Sequence, residues 1–347
     1  MSGKVLRLVC TAAATAGCVL APLPATAAPP PDPGGGVAQQ LTDLQQLYRQ
    51  AEQATETYDA TAEKLKKQRA EVARLDGALA KVRLSLQDSR GAAGRLARQQ
   101  YQNSTDISPY VRLLLARDPQ QALDQGHVIG QLARERAETV GRLTGAEKKA
   151  GALARAARKA LDQQLSLAAR QKKDRDDVQA RLKKVEELLV SLTPEQIAAL
   201  GELEKSGVDK AQRNLVASGA LDDNRPPSPE GDRAVRYAVR QLGKPYRWGA
   251  EGPASYDCSG LTSQAWDRAG TPIPRTSQEQ WAQLPRVPLE QLRPGDLVVY
   301  FPEATHVAMY VGRGMVIQAP RTGETIKVSP IATYPILGAL RPDERDT

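Results

Sequence analysis

Aromatic side chains are scarce in this 347-residue chain and make up 4% of it. The one phenylalanine, Phe301, and all three tryptophans lie after residue 226. The earlier region is instead rich in Ala, Leu, Gln, Arg, Lys and Glu. This composition excludes a thick globular core before residue 226 but is typical of long helices.

Cysteine is equally scarce, with Cys10, Cys18 and Cys258 as its three positions. The first two lie in a segment with a positively charged start, a short apolar run and the small-residue string Ala25-Thr26-Ala27. This pattern predicts a signal peptide over residues 1–28, cleaved after Ala27 or Ala28, and a secreted, cell-wall-associated chain. The alternative is lipid attachment at Cys18, which is disfavoured because Thr15 stands where leucine is usual.

Long apolar runs and nucleic-acid motifs are also missing. After the signal, no segment reaches the roughly 20 apolar residues that a membrane-spanning helix needs. The sequence shows neither a glycine-rich phosphate loop nor a basic patch interleaved with aromatics, so we expect no nucleic-acid partner. The net charge of +8 is modest for this length.

A seven-residue repeat dominates the first half of the chain and predicts an α-helical coiled-coil region over residues 41–190. The repeat breaks after Ile107-Ser108-Pro109, and Asp118-Pro119 is a typical helix start. Two seams joined by a break favour an antiparallel hairpin, while parallel dimerisation stays open. We interpret His127, near the break, as structural. The first seam contains Leu44, Ala51, Tyr58, Leu65, Val72, Leu79 and Leu86, and the second contains Leu132, Thr139, Ala146, Leu153, Ala160 and Leu167.

The remaining segments divide into linkers and one compact domain. Residues 29–40 are a Pro/Gly-rich linker, and residues 191–226 are predicted to hold short helices and a second linker. Residues 227–347 are long enough for one domain. Predicted helices begin at Pro229 and Ser259, and four later strings alternate or run apolar like strands, which together predict an α+β fold.

Cys258 is the one cysteine after the signal, so it cannot form an internal disulfide. Inert packing, an intermolecular bridge and a nucleophile are the three interpretations. We favour the nucleophile, because a thiol at the N-terminus of the predicted helix would have a lowered pKa. His306, at the start of a predicted strand, could serve as base and acid. Gln318 on the next strand could orient its ring.

Five strings in this region resemble the NlpC/P60 cysteine peptidases, in the order found in that family. They are Pro245-Tyr246-Arg247-Trp248-Gly249, Asp257-Cys258-Ser259-Gly260-Leu261, Pro274-Arg275-Thr276-Ser277, Pro294-Gly295-Asp296-Leu297 and His306-Val307-Ala308-Met309-Tyr310-Val311-Gly312. The likeness covers about residues 229 to 341. The combination of a coiled-coil N-terminal region with a C-terminal domain of this kind also resembles exported actinobacterial wall hydrolases.

The resemblance implies a papain-like fold and hydrolysis of peptidoglycan stem peptides. The expected bond joins D-glutamate or D-isoglutamine to the diamino acid at position three. Cys258 would be the nucleophile, His306 the base and acid, and Gln318 the orienting residue.

The other motif residues receive subsidiary roles from the same resemblance. Tyr246 would help to stabilise the oxyanion, and Asp257 and Ser259 would line the substrate pocket. Simple packing of Tyr246 and helix capping by Asp257 stay open, and Arg275 and Trp248 are interpreted as structural. We expect no cofactor and no metal.

Two departures from the family pattern concern the third polar residue and the approach loop. Many members carry histidine where this chain has Gln318, which brings no charge. Ala250 stands where a second glycine is common.

Three functions therefore remain open at this stage. They are a wall endopeptidase, a non-catalytic wall-binding scaffold that activates a partner hydrolase, and an amidase or acyltransferase on the same fold. The helical arm further suggests either docking to a protein partner or self-inhibition by covering the cleft.

Overall fold

The computed structural model describes residues 33–102, 111, 114–115, 118–221 and 225–343. The predicted signal peptide and the break at 107–109 lie outside these ranges. No helix in the described ranges is long and apolar enough to cross a membrane.

Two long helices form an antiparallel hairpin. Helix α1 spans Pro33–Gln102 and helix α2 spans Pro119–Ser191. Thr61 bonds to Asp174 at 2.7 Å, whereas Arg90, further along α1, bonds to Glu147 at 3.2 Å. The partner moves backwards along α2 as the position advances along α1. This confirms the antiparallel alternative for the described chain.

The predicted seam positions are the buried ones over much of the hairpin. Leu65 and Leu79 of the first seam and Ala160 of the second are buried. Leu75 and Ala157, at the intermediate positions of the two repeats, are buried as well. Small residues on α2 allow the two helices to lie close together, as the sequence pattern indicates. Helix α2 begins as predicted, with Asp118 accepting a bond from the Gln121 backbone N–H at 2.8 Å.

The N-terminal boundary of α1 differs from expectation. The helix begins at Pro33, inside the segment 29–40 that was predicted as a linker. Proline is tolerated in the first turn because the backbone N–H that it lacks would have no partner there. Pro33 was therefore counted with the linker although it is the first residue of the helix.

Helix α3, Pro194–Ala217, joins the hairpin to the C-terminal domain. Thr193 and Gln196 form a capping box at its start, which stabilises a sharp helix beginning after the α2 end. Gln212 then donates to the Gly314 carbonyl at 3.0 Å and accepts from the Ala332 N–H at 3.1 Å. These bonds fix α3 on the C-terminal domain.

Three α-helices, six strands and two short 3₁₀ helices, Leu289–Gln291 and Ile331–Thr333, build the described part of the C-terminal domain. The helices are α4, Pro229–Val239, α5, Cys258–Ala269, and α6, Ser277–Gln283. The strands are β1, Arg286–Val287, β2, Leu297–Tyr300, β3, His306–Gly312, β4, Met315–Gln318, β5, Lys327–Pro330, and β6, Ile336–Leu340. They form one antiparallel sheet in the order β1-β6-β2-β3-β4-β5.

Alternating side chains of the sheet form two cores. Leu297 and Val299 face a core shared with α4 and α5, whereas Val298 and Tyr300 face a second core against α3. Both faces of the sheet are thus covered, which explains why β2 is buried along its whole length. The α+β prediction is confirmed, and α6, β1 and β6 are elements that the sequence did not indicate.

Gly295 and Gly270 both have a left-handed backbone, but of the two only Gly295 lies against another segment of the chain. Gly295 has φ +106°, and a Cβ there would lie 2.6 Å from the Gly231 Cα. Gly270 has a similar φ of +95° but open space around its Cα. The pair therefore separates the conformational cost of a side chain from the steric cost.

We expect Gly270→Ala to cost about 1 kcal/mol of unfolding free energy and Gly295→Ala about 3 kcal/mol or more, because the second adds a backbone clash. Denaturant unfolding followed by tryptophan fluorescence would measure both, since Trp248, Trp266 and Trp281 all lie in this domain. Equal losses would contradict the steric argument.

Candidate active site

Cys258 is the first residue of α5 and is 3% exposed. The preceding residue, Asp257, caps the helix by accepting the Gly260 backbone N–H at 2.6 Å. Gly260 itself must lack a side chain, because a Cβ would lie 2.3 Å from the Ala250 carbonyl oxygen. The approach loop and the helix start therefore hold the thiol in one position, at the helix terminus predicted from the sequence.

His306 and Gln318 are brought together by neighbouring strands. The His306 Nε2 and the Gln318 Oε1 lie 2.7 Å apart, and both residues are buried. An amide oxygen can only accept, so Nε2 carries the proton and Nδ1 presents a lone pair. The next residue, Val307, donates its backbone N–H towards the Cys258 thiol. The predicted nucleophile, base and orienting residue thus meet at one end of β3.

Tyr246 lies in the same core cluster as Cys258 and is 8% exposed. Burial, followed by the Cys258 thiol, raises the pKa of its phenol well above the ordinary value. The hydroxyl therefore stays protonated and able to donate a hydrogen bond beside the thiol.

Arg275 is the central cation of the site. Its guanidinium binds both Asp257 carboxylate oxygens, at 3.1 and 2.6 Å, and donates to the Ser259 hydroxyl at 2.9 Å. It also lies 3.0 Å from Glu251. Asp257 is fully buried, so it acts here as a helix cap and an ion-pair partner, the alternative to pocket lining that the sequence left open. These contacts are those of a residue that holds the site in place, the role interpreted for Arg275 from the sequence.

Helix α1 lies across the cleft, and three of its acidic residues reach the site. The Glu56 carboxyl accepts the Ser277 N–H at 2.8 Å and the Ser259 hydroxyl at 3.0 Å, and it lies 3.7 Å from the Cys258 sulfur. Glu52 is 3.6 Å from the His306 Nδ1. Asp59 is 3.4 Å from the Arg275 guanidinium. We call Glu52, Glu56 and Asp59 the acid face of α1.

The pKa of the Cys258 thiol is shifted in the direction opposite to the prediction. Burial, and then the carboxyls of Glu56, Asp257 and Glu52, raise the pKa of the Cys258 thiol well above its ordinary value. The lowered pKa expected at a helix N-terminus is therefore wrong for this arrangement. Burial also lowers the pKa of His306 to about 4 and raises that of Glu52 to about 8. The thiol and the imidazole are both neutral while α1 is in place.

The acid face and Ser277 are the site residues that sequence reasoning missed. Residues 52, 56 and 59 are spaced four and three apart, which places them on one face of a helix. That spacing was a usable signal, but it does not say which surface the face meets. Tyr58 marks the same contact, because its ring lies edge-on to Trp248 with centroids 5.1 Å apart.

With the geometry established, comparison with known proteins identifies the domain. Residues 243–337 match the sequence model of the NlpC/P60 family. This segment is therefore an NlpC/P60 domain, as the five motifs indicated. Within the described ranges, no group of His, Cys, Asp and Glu side chains is arranged to hold a metal ion.

Similar proteins include a probable endopeptidase of Corynebacterium glutamicum, 41% identical over 37% of this chain and 60% of its own length. The peptidoglycan endopeptidase RipA of Mycolicibacterium smegmatis is 38% identical over 30% of this chain and 24% of its own length. The chain thus spans less than two thirds of these relatives.

Among solved structures, the NlpC/p60 domain of the peptidoglycan hydrolase SagA is 30% identical, covering 32% of this chain and 97% of that one, with a TM-score of 0.30. RipD of Mycobacterium tuberculosis, described as a non-catalytic NlpC/p60 domain protein adapted to peptidoglycan binding, is also 30% identical, over 32% of this chain and 96% of its own, with a TM-score of 0.30.

Replacing Arg275 by methionine should destabilise the domain by about 3–5 kcal/mol, because it leaves Asp257 buried without its cation. Arg268→Met on the exposed side of α5 is the matched control and should change stability by less than about 0.5 kcal/mol. Denaturant unfolding of both variants would measure the difference. A small loss with Arg275→Met would show that the ion pair does not hold the site.

Proposed function

We propose that the chain is a secreted peptidoglycan hydrolase that cleaves stem peptides by cysteine catalysis. The observation that supports this most directly is the position of the Cys258 thiol at the Val307 N–H, one residue after His306, which is itself bonded to Gln318. The domain belongs to a family whose relatives include peptidoglycan endopeptidases. The bond that we propose joins D-glutamate or D-isoglutamine to the diamino acid.

In the proposed reaction, His306 takes the thiol proton at Nδ1 while Gln318 holds the protonated Nε2. The Cys258 sulfur then attacks the carbonyl carbon of the scissile bond, and the oxyanion accepts a bond from the Tyr246 hydroxyl. The imidazolium donates its proton to the leaving amine, which departs from an acyl-enzyme. Water, deprotonated by His306, attacks the acyl carbon and releases the thiol. Resolution by an amine instead of water would make the same site an acyltransferase.

The alternative function is a non-catalytic scaffold that binds the cell wall, and RipD is described as a non-catalytic protein with this kind of domain. The presence of Cys258 beside Val307 and of a His306 ring bonded to Gln318 argues against it, because peptide binding alone requires neither a thiol nor an oriented imidazole. Product analysis would separate the two directly.

We further propose that α1 inhibits the domain to which it is joined. The supporting observation is that Glu56 and Glu52 lie against the two residues that would carry the reaction. A stem peptide could not reach Cys258 while the acid face occupies the cleft. An endopeptidase with this arrangement would act only after the hairpin moves.

Glu56→Trp provides an open reference, because an indole is too large for the space and cannot accept the Ser277 N–H. A chain that begins at residue 29 and carries this substitution should release fragments from purified peptidoglycan, with new termini between stem positions two and three. Mass spectrometry would identify the fragments. The same chain with Cys258→Ala should release none.

Absence of fragments from the Glu56→Trp chain, with the domain still folded, would favour the binding scaffold. Fragments that persist after Cys258→Ala would exclude the thiol as nucleophile. Adding an amine nucleophile to the digest tests acyl transfer, because a transferase would join that amine to the new carboxyl terminus.

Self-inhibition predicts a difference between the open variant and the wild-type chain. Glu56→Trp should raise the initial rate of fragment release by at least about tenfold, because rate follows the fraction of molecules with an accessible cleft. Asp76→Trp, on an exposed position of the same helix, is the matched control and should leave the wild-type rate unchanged. Equal rates for the wild type and Glu56→Trp would rule out inhibition by α1.

A further inference from the structure

The acid face of α1 is almost wholly removed from solvent. Glu52 is 8% exposed, Glu56 1% and Asp59 3%. Carboxyl groups are rarely buried to this extent unless each is paired with a cation. The identity of the groups around them therefore decides in which protonation state they can occupy the cleft.

Arg275 is the cation that lies near the Asp59 and Glu56 carboxyls. Arg275 already holds Asp257 through two bonds and Glu251 through a third. Cys258, Ser259 and the Ser277 N–H are the other neighbours of Glu56, and none of them is a cation. With α1 in place, four carboxyl groups therefore depend on a single guanidinium.

Within the described part of the chain, the Glu52 end of the acid face also lacks a cation in direct contact with its carboxyl. The Glu52 carboxyl lies 3.6 Å from the Nδ1 of the neutral His306, and that nitrogen has no hydrogen-bond partner among the residues that the structure describes. Arg321 attracts Glu52 from further away but is bonded to both oxygens of Glu204 and to Glu324. Arg49 of α1 also attracts it and lies over the Phe301 ring, and the Tyr334 hydroxyl faces it from the domain.

We propose that α1 covers the cleft with the acid face protonated, so that closure takes up protons and a rise in pH opens the cleft. This inference deepens the self-inhibition proposed above and rests on it. The charge balance is its basis: among the described residues, the buried carboxyls at the cleft outnumber the cations that could neutralise them, and protons can supply the missing positive charge.

The direction follows from the two states of each acid. When α1 is released, its carboxyls return to water, where they ionise near pH 4. In the closed state, burial raises the pKa of Glu56 to about 7 and that of Glu52 to about 8, and it raises the pKa of Asp59 as well. His306 opposes this with one proton, because burial lowers its pKa to about 4 and closure therefore displaces its proton below about pH 6.5. The three carboxyls of the acid face outnumber it, so closure is favoured at low pH and is lost progressively as pH rises through the closed-state pKa values of the acids.

Cys258 provides a direct test, because it is the one thiol in a chain that begins at residue 29. Its rate of reaction with 2,2′-dithiodipyridine can be measured in the wild type and in Glu56→Trp at each pH. The ratio of the two rates reports the open fraction and cancels the ionisation of the thiol in the open state. We expect this ratio to rise at least roughly tenfold between about pH 5.5 and about pH 7.5, since each proton released contributes up to tenfold per pH unit.

The triple variant Glu52→Gln, Glu56→Gln and Asp59→Asn retains the shape of the acid face but has no protons to lose. Its ratio should not rise over the same range, because only the opposing titration of His306 remains. Asp76→Asn makes the same chemical change at an exposed site on α1 and should retain the wild-type pH dependence.

Two results would overturn the inference in different ways. A wild-type ratio that is low and constant would refute proton-linked opening while leaving self-inhibition intact. A ratio near one at every pH would show that α1 does not cover the cleft in solution. The thiol assay does not use peptidoglycan, so failure of this inference is distinguishable from failure of the proposed hydrolase activity.

Discussion

The buried pair formed by Arg275 and Asp257 is the interaction on which the site depends. Asp257 caps the helix that begins with Cys258, so its position fixes the thiol. Arg275 neutralises Asp257 and at the same time joins the approach loop through Glu251 and reaches α1 through Asp59. Burying these charges is costly and requires complete pairing. A single guanidinium therefore links the nucleophile, its loop and the helix that covers it.

This arrangement gives two roles to the same polar groups. The Ser277 N–H and the Ser259 hydroxyl hold the Glu56 carboxyl in the closed chain. Once α1 leaves, both donors are free to bind another acceptor beside the thiol. The proposed inhibition by the acid face and access to the cleft are consequently alternatives at the level of individual hydrogen bonds, and partial opening would leave buried donors without partners.

Features set by local sequence were predictable, whereas those set by distant contacts were not. The caps at Asp118, Thr193 and Ser228 mark the observed helix starts, because a side chain and a backbone N–H three residues on decide them. The short strand β6 was missed because Gly338 interrupts its apolar pattern, and the Trp281 ring that packs against that glycine is far away in sequence. The motif residues Cys258, His306 and Gln318 were found from their types and their places on predicted elements.

The same reasoning explains why the acid face escaped notice. Glu52 and Glu56 lie 202 or more residues before the thiol in sequence. A heptad pattern predicts which residues of a helix contact its helical partner, but it does not predict what the other faces of the helix contact. The pKa of Cys258 was misjudged for the same reason, because the helix dipole was visible in the sequence and the covering carboxyls were not.

The length of α1 has a mechanical consequence. From Asp59 to Gln102 the helix continues for about 65 Å at roughly 1.5 Å per residue, with α2 alongside to stiffen it. The contacts that secure the cleft occupy only a few turns near the opposite end. A modest sideways force applied at the distal end would therefore act on those contacts with a long moment arm, so that the hairpin can transmit a distant pull as torque on the acid face.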